Sequence, residues 1–365
     1  MSTQSLRIVD RNHVLYQGRK LLFFGGTDYH RLSSNPSVIR ALAEAAAEYG
    51  ISAGGSRTTT GTHPLHLKLE EKLAGFFGTE AAVVFASGYL SNTILLQAIA
   101  PDFDVFLLDE AAHSSLKDAA GLFDKKLIYF KHVDAGNLQE QFIRNVKAGE
   151  RALILTDGVF PAMGEMPPLD AYAHIARKFG ARILLDDAHA MAVLGKTGKG
   201  SWEAAGIDRE LMYQTGTLSK GFGVFGGVIP ATRSLVEKIH RESEAFIGST
   251  GLALPLVAAA IQSVAYLQTN PLLIRELQDR ALELKEKFRR LGFIIPHSQA
   301  PIISIIFSDE RKNKQLYRML LENGIYPPFI NYPGSPPGGH FRFVISSQHS
   351  EEQVELLFET VRTLL

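Results

Sequence analysis

Residues 211–232 read LMYQTGTLSKGFGVFGGVIPAT, and two incompatible folds can be built on them. Gly221-Phe222-Gly223-Val224-Phe225-Gly226 spells G-x-G-x-x-G. In a dinucleotide-binding fold that string opens a helix directly after a strand, and an acid follows about 20 residues later at the end of the next strand. Here the glycines run into Gly227-Val228-Ile229-Pro230, which reads as a strand, and Glu237 falls in a helical period. The fingerprint fails its context. What remains distinctive is Lys220, the only charged side chain in the stretch. An amine among glycines, small hydroxyls and phenylalanines is placed for desolvation, which lowers its pKa and suits it to Schiff-base chemistry. A loop lysine that simply reaches solvent is the competing reading.

Upstream of this stretch, short apolar runs alternate with helical periods. The runs are 82–86, 105–108, 127–130, 152–156, 182–185, 212–215 and 227–229. Strands buried on both faces read as continuous apolar runs, so the pattern predicts an α/β fold built on a mainly parallel sheet with crossover helices. Asn35-Pro36 opens a helix that closes at Gly50, and a second amphipathic stretch covers 65–77. After about Leu252 the rhythm changes to long helical periods at 252–267 and 271–291. Strands at 302–307 and 341–345 then flank a helix at 312–323, and Ser350 begins a terminal helix. The expected organisation is a segment 1–50, a large α/β domain 51–251 and a smaller α+β domain 252–365. The Pro- and Gly-rich stretch Pro327–Gly339 reads as a loop.

Composition narrows the function classes. The chain has 365 residues, 45% hydrophobic and 21% charged, which excludes disordered and collagen-like classes. Thirty-eight basic residues balance thirty-eight acidic ones, without the basic excess of a nucleic-acid binder. Cysteine is absent, which removes disulfides, thiolate zinc sites, iron–sulfur clusters and a cysteine nucleophile together. The start, MSTQSLRIVDRN, has no apolar core of signal-peptide length, and the apolar stretch 252–267 is interrupted by Gln262 and Ser263. A soluble, cytoplasmic protein without a membrane span is expected.

Three further groups bear on chemistry. The run 181–185 ends in Asp186-Asp187-Ala188-His189, which places an acid at the carboxyl end of a strand, where open α/β sheets bind ligands. Metal ligation is an alternative there, with His63 and His66 as the only other candidate pair, and no metal site is assigned. The run 83–86 turns through Ser87-Gly88-Tyr89 into a helical period, offering backbone N–H groups to a phosphate. His113 lies just past another strand end. A phosphate cradle, an acid for a pyridinium nitrogen and a desolvated lysine are together what pyridoxal phosphate requires.

The order of these motifs resembles the α-oxoamine synthase family of fold-type I pyridoxal-phosphate enzymes from about Tyr16 to the end. The likeness rests on Gly54-Gly55-Ser56-Arg57, Thr60-Gly61-Thr62-His63, Ser87-Gly88-Tyr89, His113-Ser114-Ser115, Thr156-Asp157-Gly158-Val159-Phe160, Asp186-Asp187-Ala188-His189, Gly216-Thr217-Leu218-Ser219-Lys220 and His340-Phe341-Arg342. The 60–63 string is most similar to the oxononanoate synthase branch. The resemblance implies that Lys220 holds the cofactor and shuttles the Cα proton, while Asp186 pairs with the pyridine nitrogen. It implies that His189 meets the ring's phenolic oxygen, that His113 stacks on the ring, and that Ser87, Gly88, Tyr89 and Thr217 bind phosphate. By the same resemblance Ser249 and Thr250 reach the neighbouring subunit's phosphate in a homodimer, and Arg342 clamps the amino-acid carboxylate. The implied reaction joins a small amino acid to an acyl thioester, of coenzyme A or acyl carrier protein, with loss of carbon dioxide.

This chain departs from the family pattern at several places. Thr27-Asp28-Tyr29-His30-Arg31 stands where the family has Asn-Asp-Tyr-Leu-Gly, Pro161 replaces a serine near the ring oxygen, and the segment before the first helix is short. An aminotransferase or aldolase of the same fold is the alternative within this class. From other classes, a nicotinamide dehydrogenase and a non-catalytic dimeric binding protein remain.

Overall fold

The computed structural model describes residues 5–331 and 338–365, so residues 332–337 of the Pro327–Gly339 loop lie outside the described residues. Three sheets organise the chain. The amino-terminal one joins β1 (Arg7–Asp10), β2 (His13–Tyr16) and β3 (Arg19–Leu22) as an antiparallel meander. Its tight β2–β3 turn places Gln17 and Gly18 at φ 49° and 77°, the two-residue geometry that matches strand twist.

The second sheet holds the seven apolar runs: β4 (Ala81–Phe85), β5 (Val105–Asp109), β6 (Lys126–Phe130), β7 (Ala152–Asp157), β8 (Arg182–Asp186), β9 (Met212–Thr217) and β10 (Gly227–Ala231), in the order β4-β10-β9-β8-β7-β5-β6. Successive residues of β7 and β8 face opposite layers. Leu153, Leu155 and Leu184 meet the layer of helices Ser91–Ile99 and Arg233–Glu242, while Ile154, Ile183 and Leu185 meet helices Ala135–Asn145 and Leu169–Phe179. At about 1.5–3 kcal/mol per buried aliphatic side chain, both layers are needed to hold this sheet. Pairing is parallel from β6 through β9, whereas β10 runs antiparallel to both neighbours. The connection from β9 to β10 explains that: the loop 218–226 is shorter than the dozen or so residues a parallel crossover requires. It holds the G-x-G-x-x-G string, and no helix follows it.

The third sheet contains β11 (Ile302–Ile305), β12 (Phe329–Ile330) and β13 (His340–Val344), with β13 in the centre. Helices Leu272–Arg290, Glu310–Glu322 and Glu351–Arg362 cover it, the last opened by the Ser350–Gln353 capping box. The amino-terminal segment docks here. Leu22 N–H donates to Gly324 O at 2.7 Å, and Val344 N–H donates to Phe24 O at 2.8 Å. Leu22, Phe24 and Tyr29 share one core with Ile303, Phe341 and Phe343. Among the described residues no helix is long and apolar enough to cross a membrane.

Candidate active site

The register of the large sheet brings its carboxylates to one edge. Asp157 pairs with Asp186, and Asp186 with Thr215, so the carboxyl ends of β7, β8 and β9 are level. Lys220 follows β9 in a loop closed by Leu218 N–H to Gly226 O at 2.9 Å and Gly223 N–H to Lys220 O at 3.0 Å. A side chain at Gly221 would lie 2.3 Å from Met191 O, so this glycine permits close packing of the loop on the 188–194 segment. The Lys220 amine makes no hydrogen bond or ion pair among the described residues. Burial lowers its pKa to about 8, with Asp186 and Asp157 opposing the shift.

Asp186 is buried and held at both oxygens. Asn92 Nδ2 donates to Oδ2 at 2.7 Å and Ala188 N–H donates to Oδ1 at 3.1 Å. The Thr215 hydroxyl donates to Asn92 Oδ1 at 2.7 Å, which fixes the amide orientation. The adjacent Asp157 accepts from His113 N–H at 2.8 Å, and burial together with Asp186 pushes its carboxyl well above the ordinary range. Asp187 faces the other way, toward Ser201 and Gln214, and burial raises its pKa to about 7.

Two histidines border the same edge. His113 caps the helix Ser114–Gly121, its Nδ1 accepting from Ser115 N–H at 3.2 Å, and burial lowers its pKa. Tyr89 meets its ring edge to face at 6.1 Å. His189 is buried, with Nδ1 2.7 Å from the Tyr29 hydroxyl. Burial, then the positive charges of Lys220 and Arg342, hold His189 far below its usual pKa, while burial pushes Tyr29 up to about 12. Both rings are therefore neutral, and a Tyr29 proton donated to Nδ1 leaves Nε2–H as the outward donor.

Ser87 opens the turn before Ser91–Ile99, its hydroxyl accepting from Tyr89 N–H at 3.3 Å. A Cβ at Gly88 would stand 2.4 Å from Thr217 Oγ1, so only glycine lets this turn approach β9. Arg342 reaches the site from β13, with Nε donating to Pro161 O at 2.6 Å and Tyr29 hydrogen-bonded beside it. Lys220, Asp186, His113, His189 and Arg342 are thus linked by charge interactions or shared partners. Ser249 and Thr250 stand apart: the Ser249 hydroxyl donates to Ala245 O, and Thr250 pairs with Ser56.

The departures also find places. His30 is buried between Ala192 O and the Ser347 hydroxyl, and Arg31 turns back to donate to Phe23 O at 2.8 Å. Arg31 has φ 52°, the left-handed conformation that suits the glycine expected there, at a cost of roughly 1 kcal/mol or more. Their bulk and charge enter the fold. Asn92 escaped the sequence reading, because it is one of four polar residues in the helix SNTILLQAI and nothing local sets it apart. The metal alternative loses its ligands to other work, since His63 and His66 cap the helix Pro64–Phe77. Among the described residues no group of three or more His, Asp or Glu side chains is arranged to hold a metal ion.

Residues 19–361 match the family described as aminotransferase class I and II. The 8-amino-7-oxononanoate synthase of Symbiobacterium thermophilum is 33% identical over 96% of this chain and 90% of its own length. Serine palmitoyltransferase of Sphingomonas wittichii superposes with a TM-score of 0.91 at 29% identity, covering 98% of this chain and 90% of that one. A further serine palmitoyltransferase structure, solved with pyridoxal phosphate, is 25% identical with a TM-score of 0.91, covering 99% of this chain and 92% of its own.

Proposed function

The chain belongs to the class I and II aminotransferase family, among its α-oxoamine synthases, and from that premise we propose which of its residues carry the reaction. The protein is a fold-type I, pyridoxal-phosphate-dependent acyltransferase that condenses an amino acid with an acyl thioester, with decarboxylation, to an α-oxoamine. One observation supports the assignment most: the unpartnered Lys220 amine and the Asn92-held Asp186 share one sheet edge, beside Arg342. The residues fit the cofactor, because the amine is free, the Asp186 side chain stands at the strand end held by Asn92, and Gly88 lets the turn that carries Ser87 and Tyr89 close against Thr217.

Pyridoxal phosphate, when bound, supplies an aldehyde that captures amines and a ring that delocalises the electron pair left at Cα. Asp186 would hold a proton on the ring nitrogen, His113 would cover one ring face, and His189 Nε2–H would donate to the phenolic oxygen. Ser87, Gly88, Tyr89 and Thr217 would receive the phosphate. Arg342 spends Nε on Pro161 O and also meets the Tyr29 hydroxyl, and its remaining guanidinium N–H groups would take the substrate carboxylate. The Lys220 amine takes the Cα proton and later returns one. The new carbon–carbon bond forms as the carbon–sulfur bond breaks, so the thiol leaves, and cleavage of the bond to the carboxylate releases carbon dioxide.

The amine's pKa sets a pH dependence. Because a pKa near 8 lies below the ordinary lysine value, the neutral fraction grows about tenfold per pH unit up to 8 and then saturates. Attachment of cofactor to apoprotein, followed by absorbance, should accelerate likewise and level off above pH 8. A rate still climbing at pH 10 would place the amine in water.

Ser249 and Thr250 complete the proposal as residues given to a second copy, since they lie apart from their own chain's cluster. Diluting the holoenzyme should then release cofactor in step with dimer dissociation, read by absorbance and sedimentation; a monomer retaining full cofactor would refute this. A cytoplasmic setting belongs to the same reading. A panel of amino acids against acyl-coenzyme A and acyl carrier protein thioesters, scored by thiol release, tests the function and identifies both substrates.

A further inference from the structure

The turn after β7 is anchored from both sides. Within it, Phe160 N–H donates to Glu165 O and Gly164 N–H to Phe160 O, each at 2.9 Å. The carboxyl-terminal unit holds three of its carbonyls. Pro161 O accepts from Arg342 Nε at 2.6 Å, Ala162 O accepts from the Ser304 hydroxyl at 2.6 Å, and Gly164 O accepts from the Ser298 hydroxyl. Ser298 is in turn held by the fully buried Lys285, whose amine lies 2.7 Å away.

From the opposite side the turn is tied to the large sheet through one ring. His132 places Nε2 3.0 Å from Glu165 and Nδ1 2.9 Å from Asp109, and its edge packs on Phe160 at 4.3 Å. Asp109, fully buried at the end of β5, also accepts from Val133 N–H at 3.1 Å and Ala111 N–H at 2.9 Å. That second contact stiffens the short segment leading to His113. Burial works against a charge on His132, but its hydrogen bonds to the Asp109 and Glu165 carboxylates outweigh that and raise the pKa to about 9. Glu110 faces the same residue, accepting its backbone N–H at 3.2 Å. At neutral pH the ring is an imidazolium donating at both nitrogens, and Asp109 has the partner a buried carboxylate requires.

We propose that the Asp109–His132–Glu165 triad positions Arg342 for the substrate carboxylate, by tying the turn beneath its guanidinium to the strand end that carries His113. The triad acts through Pro161 and is a positioning device. This rests on the reading of Arg342 as the carboxylate clamp.

Two aldehyde-trapping probes isolate the effect in the holoenzyme: aminooxyacetate, which carries a carboxylate, and methoxyamine, which does not. The second-order rate of the cofactor absorbance change gives a carboxylate preference as the ratio of the two. His132→Leu should lower that ratio about tenfold, through aminooxyacetate alone, and Glu165→Gln should lower it less. Arg342→Ala, run in parallel, should abolish the preference. An unchanged ratio in His132→Leu, or equal losses for both probes, would overturn the proposal. Should His132→Leu not fold, Glu165→Gln decides by the same ratio. A preference unaffected in Arg342→Ala would instead remove the clamp reading on which the triad rests.

Discussion

Lys220→Ala should lose all covalently attached cofactor and slow turnover by a factor of about 10²–10⁴, the range for removal of a positioned acid–base group. The fold should survive. The amine has no hydrogen-bond partner to strand, and its burial depresses its pKa to about 8, so its removal relieves desolvation. Borohydride reduction followed by peptide mass spectrometry should find the cofactor on Lys220 in the parent protein and nowhere in the variant. Label on another lysine would contradict the assignment, as would a large loss of thermal stability.

Asp186→Asn is the second large effect. The amide is nearly isosteric, and its oxygen can still accept from Asn92 Nδ2, so the helix Ser91–Ile99 keeps its contact with β8. What disappears is the negative charge that retains a proton on the ring nitrogen. Exchange of the amino-acid Cα hydrogen with solvent should fall by about 10²–10³, comparable to losing a preorganised electrostatic contact, while some cofactor stays bound. Near-parental exchange would exclude this role.

The elements that sequence made legible are those whose burial is uniform. The central strands β5, β7 and β8 lie between two helical layers, so they are apolar nearly to their carboxyl ends, and Lys220 stands out because that environment tolerates few charges. The helices 36–49 and 64–77 announce themselves by proline at the first turn and glycine at the end. Relations between distant segments were hidden. Strands β1 to β3 are four residues each, too short for a clear period, and only the Gln17-Gly18 pair hints at their hairpin. Asn92 is a polar residue on a buried helix face whose purpose appears only when β8 is placed beside it. Tyr29 joins His189 and Arg342 from 160 residues or more away, which no local pattern encodes. Arg31 occupies a left-handed conformation that sequence would assign to glycine.

The central claim is condensation at the Lys220 edge of the sheet. Its most direct measurement follows the holoenzyme with an accepted amino acid, first alone and then with a matching acyl thioester, counting free thiol, carbon dioxide and keto acid. Condensation predicts slow Cα hydrogen exchange with the amino acid alone, then thiol and carbon dioxide in equal amounts once the thioester is added. Keto acid and pyridoxamine phosphate across a broad panel, with no thiol released, would contradict it and make the protein an aminotransferase.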